Sequence, residues 1–136
     1  MSISFGPELV GTTAKTLQVL LRRALDGTEL TEPQWVTLRL AGRGESADAD
    51  ALVAAARDRA HFENAADLVE TLTARDLLAD GALTESARTL MAGVRERTAA
   101  LAGGLWEDLP AADVAATERI LNTLLERGRE VLSRAA

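Results

Sequence analysis

Leu68-Val69-Glu70-Thr71-Leu72-Thr73-Ala74-Arg75-Asp76-Leu77-Leu78, then Ala79-Asp80-Gly81-Ala82, then Leu83-Thr84-Glu85-Ser86-Ala87-Arg88 is the stretch whose reading decides the fold. Leu68, Val69 and Leu72 follow Ala65 at helical spacing, which predicts a helix over roughly residues 63–74 with those four side chains inward. Asp80-Gly81 is a two-residue hairpin signal, because both central residues of a type I′ turn need positive φ. Leu77-Leu78 and Ala82-Leu83 leave room for only very short strands on either side. Thr84 is a good N-cap for the helix that follows.

Working outward, the rest of the chain reads as helix. Phe5-Gly6-Pro7 introduces a first helix, with Pro7 suited to a first-turn position. Leu9, Val10, Leu17, Leu20, Leu21, Ala24 and Leu25 recur at helical spacing, and Gly27 closes the run. Thr31-Glu32-Pro33-Gln34 is a capping box for a second helix: Thr31 can accept the Gln34 N–H while the Gln34 side chain reaches back to Thr31. Trp35 and Leu38 share its inner face, and Gly42-Arg43-Gly44-Glu45-Ser46 ends it. A third helix begins near Asp48 or Asp50, and residues 57–63 are expected to hold the turn into the fourth. The fifth helix runs through Leu90, Met91, Val94 and Leu101 to Gly103-Gly104. Pro110 starts a sixth, with Val114, Ile120, Leu121, Leu124, Leu125, Val131 and Leu132 apolar.

Composition narrows the function classes. The chain has 136 residues, of which 47% are hydrophobic, enough for one core. With no cysteine and one histidine, disulfides, thiolate chemistry and a multi-histidine metal site are excluded within one chain. No apolar stretch approaches bilayer length, and the N-terminus lacks a basic patch followed by an apolar run. A soluble, cytoplasmic protein without a membrane partner is the expectation. There is no nucleophile motif, no glycine-rich phosphate loop and no carboxylate pair of defined spacing, so neither an enzyme nor a cofactor is expected. The net charge is −6, whereas nucleic-acid binders are usually basic.

The motifs, taken together, resemble those of the MarR family of winged helix-turn-helix transcription regulators. Leu30-Thr31-Glu32-Pro33-Gln34-Trp35-Val36-Thr37-Leu38 is similar to that family's "LTxxQwxvL", Leu68–Leu78 to its "LVdrLearGLv", and Leu83–Leu90 to its "LTxxGral". The resemblance implies a mainly α fold: a winged helix-turn-helix with a minimal β-hairpin wing, and terminal helices forming a dimerisation region. Residues 1–29 and 104–136 would supply the dimerisation helices, and residues 30–103 the core and its connecting helix. It implies a cytoplasmic homodimer that regulates transcription on double-stranded DNA, with the fourth helix in the major groove. A small aromatic or anionic effector would bias the two subunits.

Four departures from the family pattern bear on that reading. Asp76 stands where a glycine is usual, and aspartate tolerates a left-handed cap better than most residues. Ala87 replaces another glycine. Asp67 stands where an arginine is expected, and a carboxylate there repels phosphates. The short hairpin carries no arginine for the minor groove. Asp67, the acidic balance and the lost wing favour an alternative in which the scaffold persists as an interaction or ligand-sensing protein that does not bind DNA.

The candidate DNA contacts are Arg57, Arg59, His61, Asn64, Thr71 and Arg75. Arg57, Arg59 and His61 either anchor DNA at the turn or form a solvated surface. Asn64 either reads a base, as asparagine pairs with adenine, or caps the helix. Trp35 either stacks on an aromatic effector or belongs to the core. Arg22 and Arg23 either meet the carboxylate of such a ligand or make surface or intersubunit ion pairs.

Overall fold

The computed structural model describes residues 2–135 and contains six α-helices and one two-stranded antiparallel sheet among them. In order these are α1 (Pro7–Leu25), α2 (Glu32–Gly42), α3 (Ala49–Ala60), α4 (Ala65–Ala74), β1 (Leu78–Ala79), β2 (Ala82–Leu83), α5 (Glu85–Ala102), a 3-10 turn (Gly103–Trp106) and α6 (Ala111–Ala135). The chain divides into two units, one running to Ala102 and one beginning at Gly103.

Local chemistry sets most helix boundaries in the first unit. The Thr31 hydroxyl accepts the Gln34 N–H at 3.3 Å and the Gln34 side chain accepts the Thr31 N–H at 3.0 Å, so the capping box forms in full. The Asp48 carboxylate accepts the Ala51 N–H at 2.8 Å and starts α3. Thr84 accepts the Ala87 N–H at 3.1 Å and starts α5. In each case a side-chain oxygen satisfies a donor that the helix itself leaves orphaned. At the other end of α4, Asp76 takes a left-handed conformation (φ 58°), as its place at the cap requires.

Some boundaries differ from the sequence expectation. Helix α4 starts at Ala65 rather than near Glu63, and Asn64 at its N-cap makes no side-chain cap hydrogen bond. Its backbone (φ −95°, ψ 30°) departs from the β-region conformation typical of capping residues. Helix α3 extends to Ala60, so Arg57 and Arg59 lie in its last turn rather than in the connection. His61 ends that helix in a left-handed conformation (φ 58°), and the His61 and Phe62 N–H groups both reach the Ala56 carbonyl. The first strand is displaced by one residue, to Leu78–Ala79, because Leu77 donates its N–H to the Leu72 carbonyl instead.

The core of this unit is one apolar cluster. Leu38, Leu52, Leu72, Leu78, Met91 and Val94 are its largest fully buried apolar side chains, each worth roughly 1.5–3 kcal/mol of burial. Helix α4 contributes Ala65, Val69 and Leu72 to it, and Leu68 is buried on the same helical stripe. The helix packs against α2, α3 and β1, while α1 lies along α5. Leu78 pairs with Leu83 and Ala79 with Ala82, so the sheet is one short hairpin.

The second unit is a 3-10 turn and a 25-residue helix. No described residue of α6 is buried. Val114, Leu121, Leu124, Leu125, Val131 and Leu132 are all exposed and recur along one side at helical spacing.

Among the described residues, no helix is long and apolar enough to cross a membrane, and no cluster of histidine, aspartate or glutamate could hold a metal ion.

Candidate nucleic-acid interface

Burial of Ala65, Leu68, Val69 and Leu72 against the core leaves the other side of α4 to solvent. Ala66, Asp67, Glu70, Thr71, Thr73 and Ala74 are all exposed. That surface carries two hydroxyls. The Thr73 hydroxyl is committed to the Val69 carbonyl at 2.7 Å, whereas Thr71 makes no such bond among the described residues. The surface also carries two carboxylates and no basic side chain.

Arg75, at the C-terminal end of α4, is turned to another task. Its guanidinium donates to the carbonyls of Glu29 at 3.0 Å and Thr28 at 3.2 Å. It thereby pins the connection between α1 and α2 to the end of α4, across 46 and 47 positions of sequence. These two bonds engage both terminal nitrogens of the guanidinium in intramolecular contacts.

The other candidate contacts fall around the turn between α3 and α4. Arg59 pairs with Glu45 at 2.6 Å. The hydrogen bond and charge of Arg59 hold the Glu45 carboxyl below the usual carboxylate range, with a smaller contribution from Arg43. Arg57, His61 and Asn64 are exposed, and Arg57 has no ion-pair partner among the described residues. The structure therefore brings Arg57, His61, Asn64 and Thr71 to the surface of the α3–α4 pair. Arg59 and Arg75 are held in intramolecular contacts.

The hairpin does not project. Asp80 and Gly81 form the tight turn with positive φ at both residues (49° and 83°), as the Asp-Gly pair requires. Gly81 is buried, and a Cβ there would stand 2.5 Å from the Asp48 carbonyl oxygen. The Asp80 carboxylate accepts the Ala49 N–H at 3.3 Å. The hairpin tip is thus folded onto the start of α3.

Near the α1–α2 connection, Arg22, Leu25, Asp26, Leu30, Thr31, Glu32 and Pro33 line an open cavity of about 550 Å³. Arg22 lies 4.0 Å from Glu32. Trp35 is 5% exposed and belongs to the core cluster, so its ring packs inward and does not line this cavity. Arg23 is exposed outside it.

Sequence reasoning singled out basic residues close to α4 and passed over a larger group. Arg39, Gly42, Arg43, Leu83, Arg88 and Arg95 line a cleft of about 580 Å³ between α2, β2 and α5. The signal was present as two helical pairs, Arg39/Arg43 and Arg88/Arg95, spaced four and seven residues apart. Only the packing of α2 and α5 on β2 places the pairs side by side.

Comparison with protein-family models, with curated proteins and with solved structures returned no match.

Proposed function

We propose that the chain is a DNA-binding transcription regulator of the MarR type that acts as a homodimer. The observation that carries this reading is the arrangement of α3, α4 and the hairpin. Helix α4 is braced on its buried side by α2, α3 and β1, and its outer side, with Ala66, Asp67, Glu70, Thr71, Thr73 and Ala74, is exposed. A short turn after α3 and a hairpin after α4 complete a minimal winged helix-turn-helix, in which α4 is the element that enters the major groove. Arg57, His61, Asn64 and Thr71 would meet DNA. Arg59 would do so only after exchanging Glu45 for a phosphate, and Arg75 would serve by fixing the end of α4.

Dimerisation follows from the second unit. The apolar side of α6 is continuous over several turns, and a helix with such a side gains stability by burying it. A second copy of the chain supplies the matching side under twofold symmetry. A small anionic effector fits the cavity beside Arg22, where it would compete with Glu32 for the guanidinium.

Three observations favour a second reading, an interaction or ligand-sensing protein that does not bind DNA. Asp67 and Glu70 face outward on α4, Arg75 is engaged elsewhere, and the hairpin tip is docked on α3. Each change removes phosphate affinity, and lost contacts compound through the salt dependence of binding. Fluorescence anisotropy with duplex DNA from the chain's own upstream region separates the two readings. Salt-sensitive, sequence-dependent binding supports the first, and no binding even at low salt supports the second.

A further inference from the structure

We propose that the cleft between α2, β2 and α5 is a binding site for a multiply charged phosphate anion. Four of the residues lining it are arginines, Arg39, Arg43, Arg88 and Arg95, and no carboxylate lines it. The chain as a whole carries a net charge of −6, so the cleft runs against the overall balance. Among the described residues, none of the four guanidiniums has a carboxylate within ion-pair distance; the pairs present are Arg22–Glu32 and Arg59–Glu45. Nor does any of the four donate a side-chain hydrogen bond there, in contrast to Arg59, Arg75 and Arg97. Glu45, the carboxylate that feels the charge of Arg43, is held by Arg59.

Geometry suits an extended anion. Arg39 and Arg43 are one turn apart, a rise of about 6 Å, and Arg88 and Arg95 two turns apart, about 10.5 Å. Two pairs of planar forks thus flank the cleft, and each fork can meet two phosphate oxygens. Gly42 keeps the floor low, since a Cβ there would stand 3.2 Å from Leu83 Cδ1. Helix stability accounts for Arg39 and Arg43, which lie at the C-terminal end of α2 where cations are favoured. It does not account for Arg88, which closes the first turn of α5, the end that disfavours a cation and favours an anion.

This assignment does not rest on α4 contacting DNA. The same chemistry reaches a protein in two forms, as a free polyphosphate or as the phosphodiester backbone of a nucleic acid. The test is calorimetric titration of the full chain with inorganic tripolyphosphate at low salt, with a duplex of about 20 base pairs in a parallel arm. The variants are R39Q/R43Q, R88Q/R95Q and R88K/R95K, with R119Q/R134Q, both exposed on α6, as a control outside the cleft. All four cleft arginines are exposed, so circular dichroism should show the helical fold unchanged; R95Q alone replaces any double variant that fails to fold.

Tripolyphosphate is expected to bind the wild type. Affinity should fall by about tenfold for each guanidinium removed, with the lysine variant in between because it keeps charge but loses the fork. If the glutamine variants also lose the duplex and tripolyphosphate displaces it, the natural source is a nucleic-acid backbone. If duplex binding is unaffected or absent, the source is a free phosphate ligand; absence in the wild type also removes the DNA reading without touching this site. Failure of the wild type to bind tripolyphosphate would overturn the assignment. So would glutamine variants that bind as the wild type does, or an equal loss in R119Q/R134Q.

Discussion

The Asp80 carboxylate accepts the backbone N–H of Ala49 at 3.3 Å, joining the tip of the hairpin to the first turn of α3 across 31 positions of sequence. Gly81 makes the junction close, because its missing Cβ leaves room for the Asp48 carbonyl. Replacing Gly81 by alanine combines a 2.5 Å collision with backbone and a residue at φ 83°. We expect G81A to lose about 2 kcal/mol or more in urea denaturation. D80N, which keeps an acceptor, should change stability by less than about 1 kcal/mol. Equal stability of G81A and the wild type would show that the tip is not docked.

Arg75 is predicted to act on stability before DNA. R75Q removes two charge-assisted bonds to the Thr28 and Glu29 carbonyls, and a loss of about 1–3 kcal/mol is expected. Where the variant remains folded, the slope of any DNA affinity against salt should match that of the wild type. A slope lowered by about one unit per subunit would instead make Arg75 a phosphate contact.

Glu45 carries the clearest pH signature. Its carboxyl is lowered by the hydrogen bond and charge of Arg59. A depressed folded pKa contributes stability that is present above the ordinary carboxylate value and is lost as pH falls through the folded value. The group is exposed, so the effect on stability is small and is better read directly. Carboxyl chemical shifts followed by NMR should place the Glu45 titration below the ordinary glutamate value, and R59Q should move it up.

The apolar side of α6 is expected to hold the dimer. L121D/L124D puts two charges in the middle of that side, and charges there oppose burial strongly. Sedimentation should give twice the chain mass for the wild type and the single mass for the variant, with the helical fold of the first unit kept. A wild-type chain that sediments as a monomer at micromolar concentration would refute this part of the account.

How much the sequence revealed depended on the range of the interaction. The capping box at Thr31–Gln34, the N-cap at Thr84, the Asp80–Gly81 turn and the left-handed Asp76 are local, decided by residues within a few positions. All were legible. Helix α4 begins at Ala65 rather than near Glu63, and Asn64, a capping residue by type, adopts a conformation that leaves its side chain out of the cap. Arg75 read as a free cation, since nothing near it in sequence indicates carbonyls 46 and 47 residues away. Trp35 followed its helical spacing into the core. The arginine cleft was invisible for the same reason as the Arg75 clamp: its two halves belong to helices separated by more than 40 positions.

The docked hairpin and the acidic outer side of α4 make DNA binding the central matter. The most direct measurement is fluorescence anisotropy of the purified protein with duplex from its own upstream region, at about 50 mM and about 200 mM salt, for the wild type and D67N/E70Q. The account predicts specific binding at the lower salt, weaker binding at the higher salt, and tighter binding by the variant at both as two repulsive carboxylates are removed from α4. No binding by either protein at the lower salt, or a variant no tighter than the wild type, would contradict it.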